Sequence, residues 1–419
     1  MPDNTQYATN TITVVNDFIG MHARFETKKI MDRMLYISGL GGLIKDIITI
    51  AKGSPPNPVL VKLDELQKNI FDLSKNMSHL FDDLKAFMVA HSFYRKFATA
   101  ASTLMKLQQD TISNPCDHSM GIFRQECERT PPLRWALDFI SELENDNTNP
   151  LKMAMNSDPL KSRVTFKKWR DIIDGVLGQF LFLETYLNGM FWDSNMYGPN
   201  RLKDRIETLN DDMDQWRTDY HKKNEGWGGV EDMVKRVQNE NSNCANSLDL
   251  VVSSRTLSDK ITQELDNILT YDAYYVLVYN SCGGYGNHAF ESDDKNFICS
   301  FRKGNCNAVV YRSTIYQGRE EQRENLRRAI QDRPPYPTLE SYESFIGTLR
   351  DEVGRKGKCG FVGMIRSSHN VVVRWLNTDL PNGPGAYTTV DLPTVQRSNG
   401  FLGFKTIKGD NFFVIAGIL

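Results

Sequence analysis

Cys282 and His288 lie close together in the stretch NSCGGYGNHAF, which runs from Asn280 to Phe290. A thiolate is a nucleophile and an imidazole can take its proton. Cys282 with His288 or His369 as base, oriented by an Asn or Asp, is therefore the residue set of a cysteine hydrolase. The same stretch carries Gly283, Gly284 and Gly286, and it reads more simply as a glycine-rich loop built for tight turns. Closeness of Cys and His in sequence is not a transferable signature. The Gly-Gly-Tyr-Gly run also lacks the Lys-Ser/Thr pair of a phosphate loop. The expectation is a chain that is not an enzyme, with a Cys282 hydrolase as the third reading.

The other cysteines pose a redox question. There are seven. Cys116 and Cys127 bracket an expected loop, and Cys299 and Cys306 sit on two strand-like runs joined by a turn. Both pairs are candidate disulfides in an oxidising compartment, and otherwise all seven are reduced small hydrophobes. Without a CxxC or His-x-x-x-His cluster, no metal site and no cofactor are expected. A basic helix carries Arg319, Arg323, Arg327 and Arg328 among Glu320, Glu321 and Glu324. The interleaved signs favour a solvated face over an anion-binding patch. Tyr285, Tyr336 and Tyr387 fall in expected loops of the same region. With that helix they suit recognition of a surface, a glycan, an anionic lipid head group or a protein receptor.

One stretch near the start is of another kind. LYISGLGGLIKDIITIAKG, residues 35–53, is apolar, rich in glycine and interrupted by Lys45-Asp46. As a helix it places Ile37, Leu40, Ile44, Ile47, Ile48 and Ala51 on one face, with Leu43 widening it. Ser38, Gly42, Lys45, Asp46 and Thr49 fall largely on the other. Gly39, Gly41 and Gly42 each cost about 1 kcal/mol relative to alanine inside a helix. Clusters of small residues are common where helices pack inside membranes. Ile37, Leu40, Leu43, Ile44, Ile47 and Ile48 are thus candidate membrane-insertion residues, and a buried core helix is the plain alternative.

The elements that must hold this segment are legible from period. Leu63, Leu66, Ile70, Leu73, Met77, Leu80, Leu84 and Phe87 keep an unbroken 3-4 alternation. A looser pattern continues through Tyr94, Phe97, Ala101, Met105 and Leu107, so one long helix is expected over 63–107. A second run is Phe166, Trp169, Ile173, Val176, Phe180, Leu183, Leu187 and Met190. It is interrupted at Asn195 to Asn200 by Gly198-Pro199 and resumes as Leu202, Ile206, Leu209, Met213, Trp216 and Tyr220. A short helix is expected over about 133–143 and another over 254–269. After Tyr271 the period becomes that of strands: YYVLVY, NFICSFR, NAVVYRS, CGFVGMI, NVVVRWL and FFVIAGIL. Helices are expected between them over 319–332 and 339–353.

The predicted fold class is mainly α. Residues 1–270 form an elongated antiparallel helical bundle with long heptad helices, and residues 271–419 form a C-terminal α+β recognition domain. The 419 residues carry 50 Lys+Arg against 52 Asp+Glu, which argues against nucleic acid as a partner. No stretch reaches the ~18 uncharged apolar residues of a spanning helix. The opening residues carry neither a basic n-region nor an apolar h-region. A cytoplasmic protein is expected, or a secreted one if a signal has been removed, membrane-associated when active.

The order of segments resembles the cephalotoxin-like and rapunzel-like animal proteins. The resemblance rests on the glycine-rich apolar segment, the linker Gly53-Ser54-Pro55-Pro56, the helix beginning KLDELQKNIFDLSKNM and the helix containing GVLGQFLFLETYLNGM. It covers roughly residues 30–270. It implies a mostly helical protein organised like helical pore-forming toxins, with no catalytic residues to carry over. The expected function is permeabilisation of membrane lipid by a segment stored in the bundle, with homo-oligomers forming on the membrane. The alternative is a non-catalytic coiled-coil scaffold or interaction protein.

Overall fold

The structure, a computed structural model, describes residues 4–20, 27–50, 57–82, 94–193, 195–223, 227–241, 250–269, 273–280, 288–292, 297–303, 306–313, 320–332, 346–349, 351, 359–366, 371–377, 387–400 and 403–418. The fold is mainly α, with an α+β part towards the C-terminus. The chain forms two compact units. One comprises Met1–Asp158 and Val164–Arg217, the other Pro159–Arg163 and Thr218–Leu419.

The first unit is helical. Its elements are α1 (Asn4–Gly20), α2 (Thr27–Asp32), α3 (Met34–Ile50), α4 (Asn57–Asp82), a π turn (Tyr94–Ala98) leading into α5 (Thr99–Ser113), α6 (Asp117–Arg129), α7 (Pro132–Glu144), α8 (Pro150–Ser157), α9 (Arg163–Phe191) and α10 (Tyr197–Lys223). The heptad stripes face inward. Leu63, Leu66 and Ile70 are buried on α4, as are Phe97, Ala101 and Met105 further on. The expected single helix over 63–107 is helical through Asp82 and again from Tyr94, and 83–93 lie outside the described residues. Asn69 Nδ2 donates to Asn16 Oδ1, which ties α4 to α1.

At the centre of this unit is α9. Every residue from Gly175 to Met190 is buried, so this half of the helix has no solvent face at all, the pattern of a core helix. The second long run is not one kinked helix. It breaks at 192–196, and Gly198-Pro199 fall inside the first turn of α10. There proline's missing N–H is no loss, because first-turn donors have no partner within the helix. Leu202, Ile206, Leu209 and Met213 are buried along α10, and Arg170 of α9 pairs with Asp214 across the two helices. Pro131 and Pro132 start α7 as expected. Asn149 caps α8 by accepting from the Lys152 N–H while its own amide donates to the Leu143 carbonyl at 2.6 Å.

Among its described residues the second unit holds α11 (Trp227–Glu240), α12 (Leu250–Leu265), α13 (Glu320–Gln331) and eight strands. The strands are β1 (Ala273–Asn280), β2 (His288–Ser292), β3 (Phe297–Lys303), β4 (Cys306–Ser313), β5 (Cys359–Arg366), β6 (Val371–Asn377), β7 (Tyr387–Gly400) and β8 (Gly403–Ile418). They make two four-stranded sheets, ordered β3-β4-β1-β6 and β2-β5-β8-β7. All the described pairings are antiparallel.

The apolar run YYVLVY is explained by burial of both faces of β1. Tyr274, Val276 and Val278, with Ala308 and Val310, pack on Val230, Val234, Val237, Leu257, Ile261 and Leu265 of the two helices. Tyr275, Leu277 and Tyr279, with Val309 and Tyr311, meet Ile365 and Ile415 of the second sheet. Such doubly covered strands read as continuous hydrophobic runs. This packing corrects the domain boundary expected near residue 270. Helices α11 and α12 bury their stripes on the sheet, so the second unit takes in the chain from Thr218 onward.

Candidate functional site

The apolar opening segment forms α3, and its seat is the buried half of α9. The contact is made backbone to backbone through glycine. A Cβ built on Gly41 would fall inside the Tyr186 carbonyl and 3.0 Å from the Met190 nitrogen. A Cβ on Gly189 would overlap the Ser38 carbonyl, 2.7 Å from its carbon and 2.9 Å from Ser38 Cα. Gly42 has ordinary contact, 3.5 Å from the Gly189 carbonyl. Glycine at 41 and 189 therefore sets the helix separation. Ser38, expected on the polar face, is buried at this seam, and its Oγ has no hydrogen-bond partner among the described residues.

The structure separates the six candidate insertion residues. Ile37, Leu40 and Ile44 are fully buried, whereas Leu43, Ile47 and Ile48 are half-buried. Leu35 is 75% exposed and Tyr36 is 43% exposed. Lys45 Nζ pairs with Asp193 at 3.2 Å, which latches α3 to the α9–α10 turn, and Asp193 is 94% exposed. An ion pair so exposed contributes at most about 1 kcal/mol.

Beneath the seam lies a polar layer. The Tyr186 hydroxyl shares a 2.7 Å hydrogen bond with Thr111 Oγ1. Phe123 meets the Tyr186 ring edge-on and Phe182 stacks on it. Full burial pushes the Tyr186 hydroxyl pKa up. Two residues earlier stands a group that no sequence pattern singles out, the buried carboxyl of Glu184. Asn188 Nδ2 donates to it at 3.1 Å, and the Leu133 N–H, the first donor after Pro131-Pro132, also reaches it. Glu184 thus caps α7 from a neighbouring helix. A Cβ on Gly198 would overlap its Oε1. Desolvation raises the Glu184 pKa against these hydrogen bonds. The only sequence signal was a lone carboxylate inside the apolar stretch FLFLETYL.

Neither candidate disulfide fits. Cys116 is the exposed N-cap of α6 and Cys127 is buried near its other end. Eleven residues of helix separate them by about 16 Å at 1.5 Å per residue, far beyond a bridgeable Cα distance. The segment between them is a helix, not the expected loop. Cys299 pairs in register with Val310, whereas Cys306 pairs with Lys303. Four residues of offset along the ladder again exclude a bond, and Cys299 is a free, buried thiol. Cys282 and His369 of the hydrolase reading lie outside the described residues, as do Tyr285, Tyr336 and Arg319. His288 opens β2 opposite Ile365. Tyr387 is not in a loop, because it opens β7 opposite Gly417. Arg327 and Arg328 both bond Glu324, whose carboxyl they hold down at about 2, in keeping with a self-paired solvated face.

A family model described as a protein of unknown function, DUF684, matches residues 61–399. The chain belongs to the DUF684 family. The DUF684 match takes in most of α4, then the chain through α10 and most of the second unit, so it includes the seat on α9. Helix α3, at Met34–Ile50, precedes it. No curated protein and no solved structure matches the chain. Among the described residues no helix is long and apolar enough to cross a membrane.

Proposed function

We propose that the chain is a membrane-active helical protein with the organisation of a pore-forming toxin, in which α3 is stored on the bundle and enters the bilayer from it. The observation that carries this reading is how α3 is held. It is an apolar helix seated by glycine contacts on α9, with an exposed ion pair as its latch and with Leu35, Tyr36, Leu43, Ile47 and Ile48 not fully covered. In lipid, the apolar surface of Ile37, Leu40 and Ile44 keeps an apolar environment. Among the described residues Ser38 Oγ has no partner to lose. The resemblance of residues 30–270 to cephalotoxin-like proteins supports the same reading.

The length of α3 refines the mode of insertion. Its 17 residues reach about 25 Å at 1.5 Å per residue, short of the ~30 Å hydrocarbon core. A helix of this length carrying Lys45-Asp46 suits insertion along the interface with its charges at headgroup level. Permeabilisation then follows from several protomers acting together.

The test is dye release from liposomes with α3 locked or free. Lys45→Cys and Asp193→Cys, in a Cys116→Ser background, are bridged by a reducible bifunctional thiol reagent, with the bridge mapped by mass spectrometry. The bridged protein stays folded and inert, and reduction restores leakage. If the wild type releases dye from no lipid mixture, or the bridged form leaks as fast as the reduced one, α3 is core. The chain is then a non-catalytic scaffold.

A further inference from the structure

The turn that latches α3 has a second property. Between α9 and α10 it presents Trp192, 52% exposed, and Tyr197, 68% exposed. Two exposed aromatic side chains at one turn offer amphipathic surface, apolar in the ring and polar at the N–H or O–H, to a partner. The groups bonded to this turn define its chemistry. Arg201 Nη1 donates to the Tyr197 hydroxyl at 3.4 Å. Arg124 lies over the Phe191 ring with 5.3 Å to the centroid, and also pairs with Glu128. Lys45 pairs with Asp193. Arg201, Arg124 and Lys45 thus stand beside these two amphipathic aromatic side chains, with Glu128 and Asp193 as pair partners and the buried Glu184 beneath Gly198. Trp and Tyr settle at the headgroup level of a bilayer, with the ring towards the acyl chains and the N–H or O–H towards water. Arginine and lysine beside them complement anionic phosphates.

We infer that the α9–α10 turn, through Trp192 and Tyr197 with Arg201 and Lys45 beside them, is the surface on which the protein docks onto an anionic phospholipid bilayer. This rests on the membrane reading above and names its lipid class. It also couples docking to release. A lipid phosphate at the turn competes with Asp193 for Lys45, so the surface that touches the membrane loosens the latch on α3. The exposed ion pair is the contact most readily exchanged.

The experiment separates docking from leakage. Binding of the full chain to phosphatidylcholine vesicles with and without phosphatidylserine is measured by flotation. Contact is read from quenching of tryptophan emission by brominated lipid, with Trp192→Phe as the subtraction reference among the six tryptophans. The inference expects binding only with phosphatidylserine, quenching that disappears in Trp192→Phe, and loss of binding in the Trp192→Ala/Tyr197→Ala double variant with an unchanged thermal midpoint. Arg201→Gln weakens binding about fivefold, the effect of one cation near an anionic leaflet. Binding without Trp192-dependent quenching overturns the inference even if dye release stands. Docking with no release by any lipid upholds it while the insertion reading falls. Self-association that the double variant abolishes, with emission unmoved by brominated lipid, makes the turn a protein interface and also overturns it.

Discussion

Gly189→Ala should open the seam on which α3 sits. The added methyl would overlap the Ser38 carbonyl and stand 2.7 Å and 2.9 Å from Ser38 C and Cα. Ordinary carbon contacts lie at about 3.5–4.0 Å, so the two helices must part by roughly 1 Å. Neither wall can yield by a rotamer change, since both are backbone. Overpacking costs about 1–3 kcal/mol, and a clash of backbone on backbone takes the upper part of that range, about 2–3 kcal/mol. Alanine returns up to about 1 kcal/mol in helix propensity, leaving a net loss of about 1–2 kcal/mol at this site. Gly121→Ala is the internal reference, because its Cβ meets nothing within 4 Å. It should gain close to the full propensity term. Circular dichroism in urea gives both shifts, and limited proteolysis locates the change at α3. The same loosening should raise the rate of dye release, since less contact must be surrendered. If Gly189→Ala is as stable as wild type, or Gly121→Ala loses as much as it does, the glycine seam does not hold α3.

Three further outcomes follow from the described thiols and from the Glu184 carboxyl. Cys116 should react with iodoacetamide well before Cys127 and Cys299. Hydrogen bonds from the Ser119 backbone and side chain lower the Cys116 pKa at an exposed site, whereas burial raises Cys127 and takes Cys299 to about 12. Peptide mass spectrometry reads the order, and equal rates would contradict it. Burial raises the Glu184 pKa in the folded state, so its contribution to stability is fullest below the unfolded pKa and is lost as pH rises through the folded one. Glu184→Gln should therefore gain stability relative to wild type at neutral pH, with the gap closing on acidification, as urea midpoints across pH will report. Gly198→Ala should destabilise α7 and α10 together because its methyl displaces the Glu184 carboxyl from the Leu133 N–H. Hydrogen exchange confined to α10 would speak against that.

Long helices were legible because their buried stripes repeat. All eight apolar positions from Phe166 to Met190 are buried, and so are Leu257, Ile261, Leu265 and Ile268. The misses have physical causes. In DHSMGIFRQECER only Phe123 and Cys127 are buried, too sparse a stripe to announce a helix, so the segment was read as a loop closed by a disulfide. The break between α9 and α10 was placed at Gly198-Pro199 because proline is read as a breaker, yet in a first turn it costs nothing. Strand β7 escaped because YTTVDLPTVQRSNG is polar and carries Pro393, which sits beside a register shift between Pro393 and Val395, where a strand tolerates proline. The apolar segment 35–53 was legible as a helix but not as a seam. Gly41 has its reason only beside Tyr186, and no local pattern announces a contact so distant in sequence.

That seam alters what the glycines mean. Three glycines looked excessive for a core helix, but Gly41 is needed for contact with α9, and Gly42 lies against Gly189. Their presence alone therefore no longer separates storage from ordinary packing, and energetics must. Moving Ile37, Leu40 and Ile44 into water forfeits about 1.5–3 kcal/mol each, so α3 does not leave the bundle in solution. A bilayer removes that penalty, because lipid covers the same side chains. The remaining terms are the exposed Lys45–Asp193 pair, worth at most about 1 kcal/mol, and the two charges of α3, each costing about 2.5 kcal/mol or more if driven to the bilayer centre. On the proposed insertion reading, release therefore requires that Lys45 and Asp46 stay at headgroup level and that an anionic phosphate replaces Asp193. A depth probe on Ile44 should then report residence beneath the headgroups while Lys45 remains accessible to aqueous amine reagents. Protection of Lys45 from such reagents in the bound state would exclude interfacial insertion.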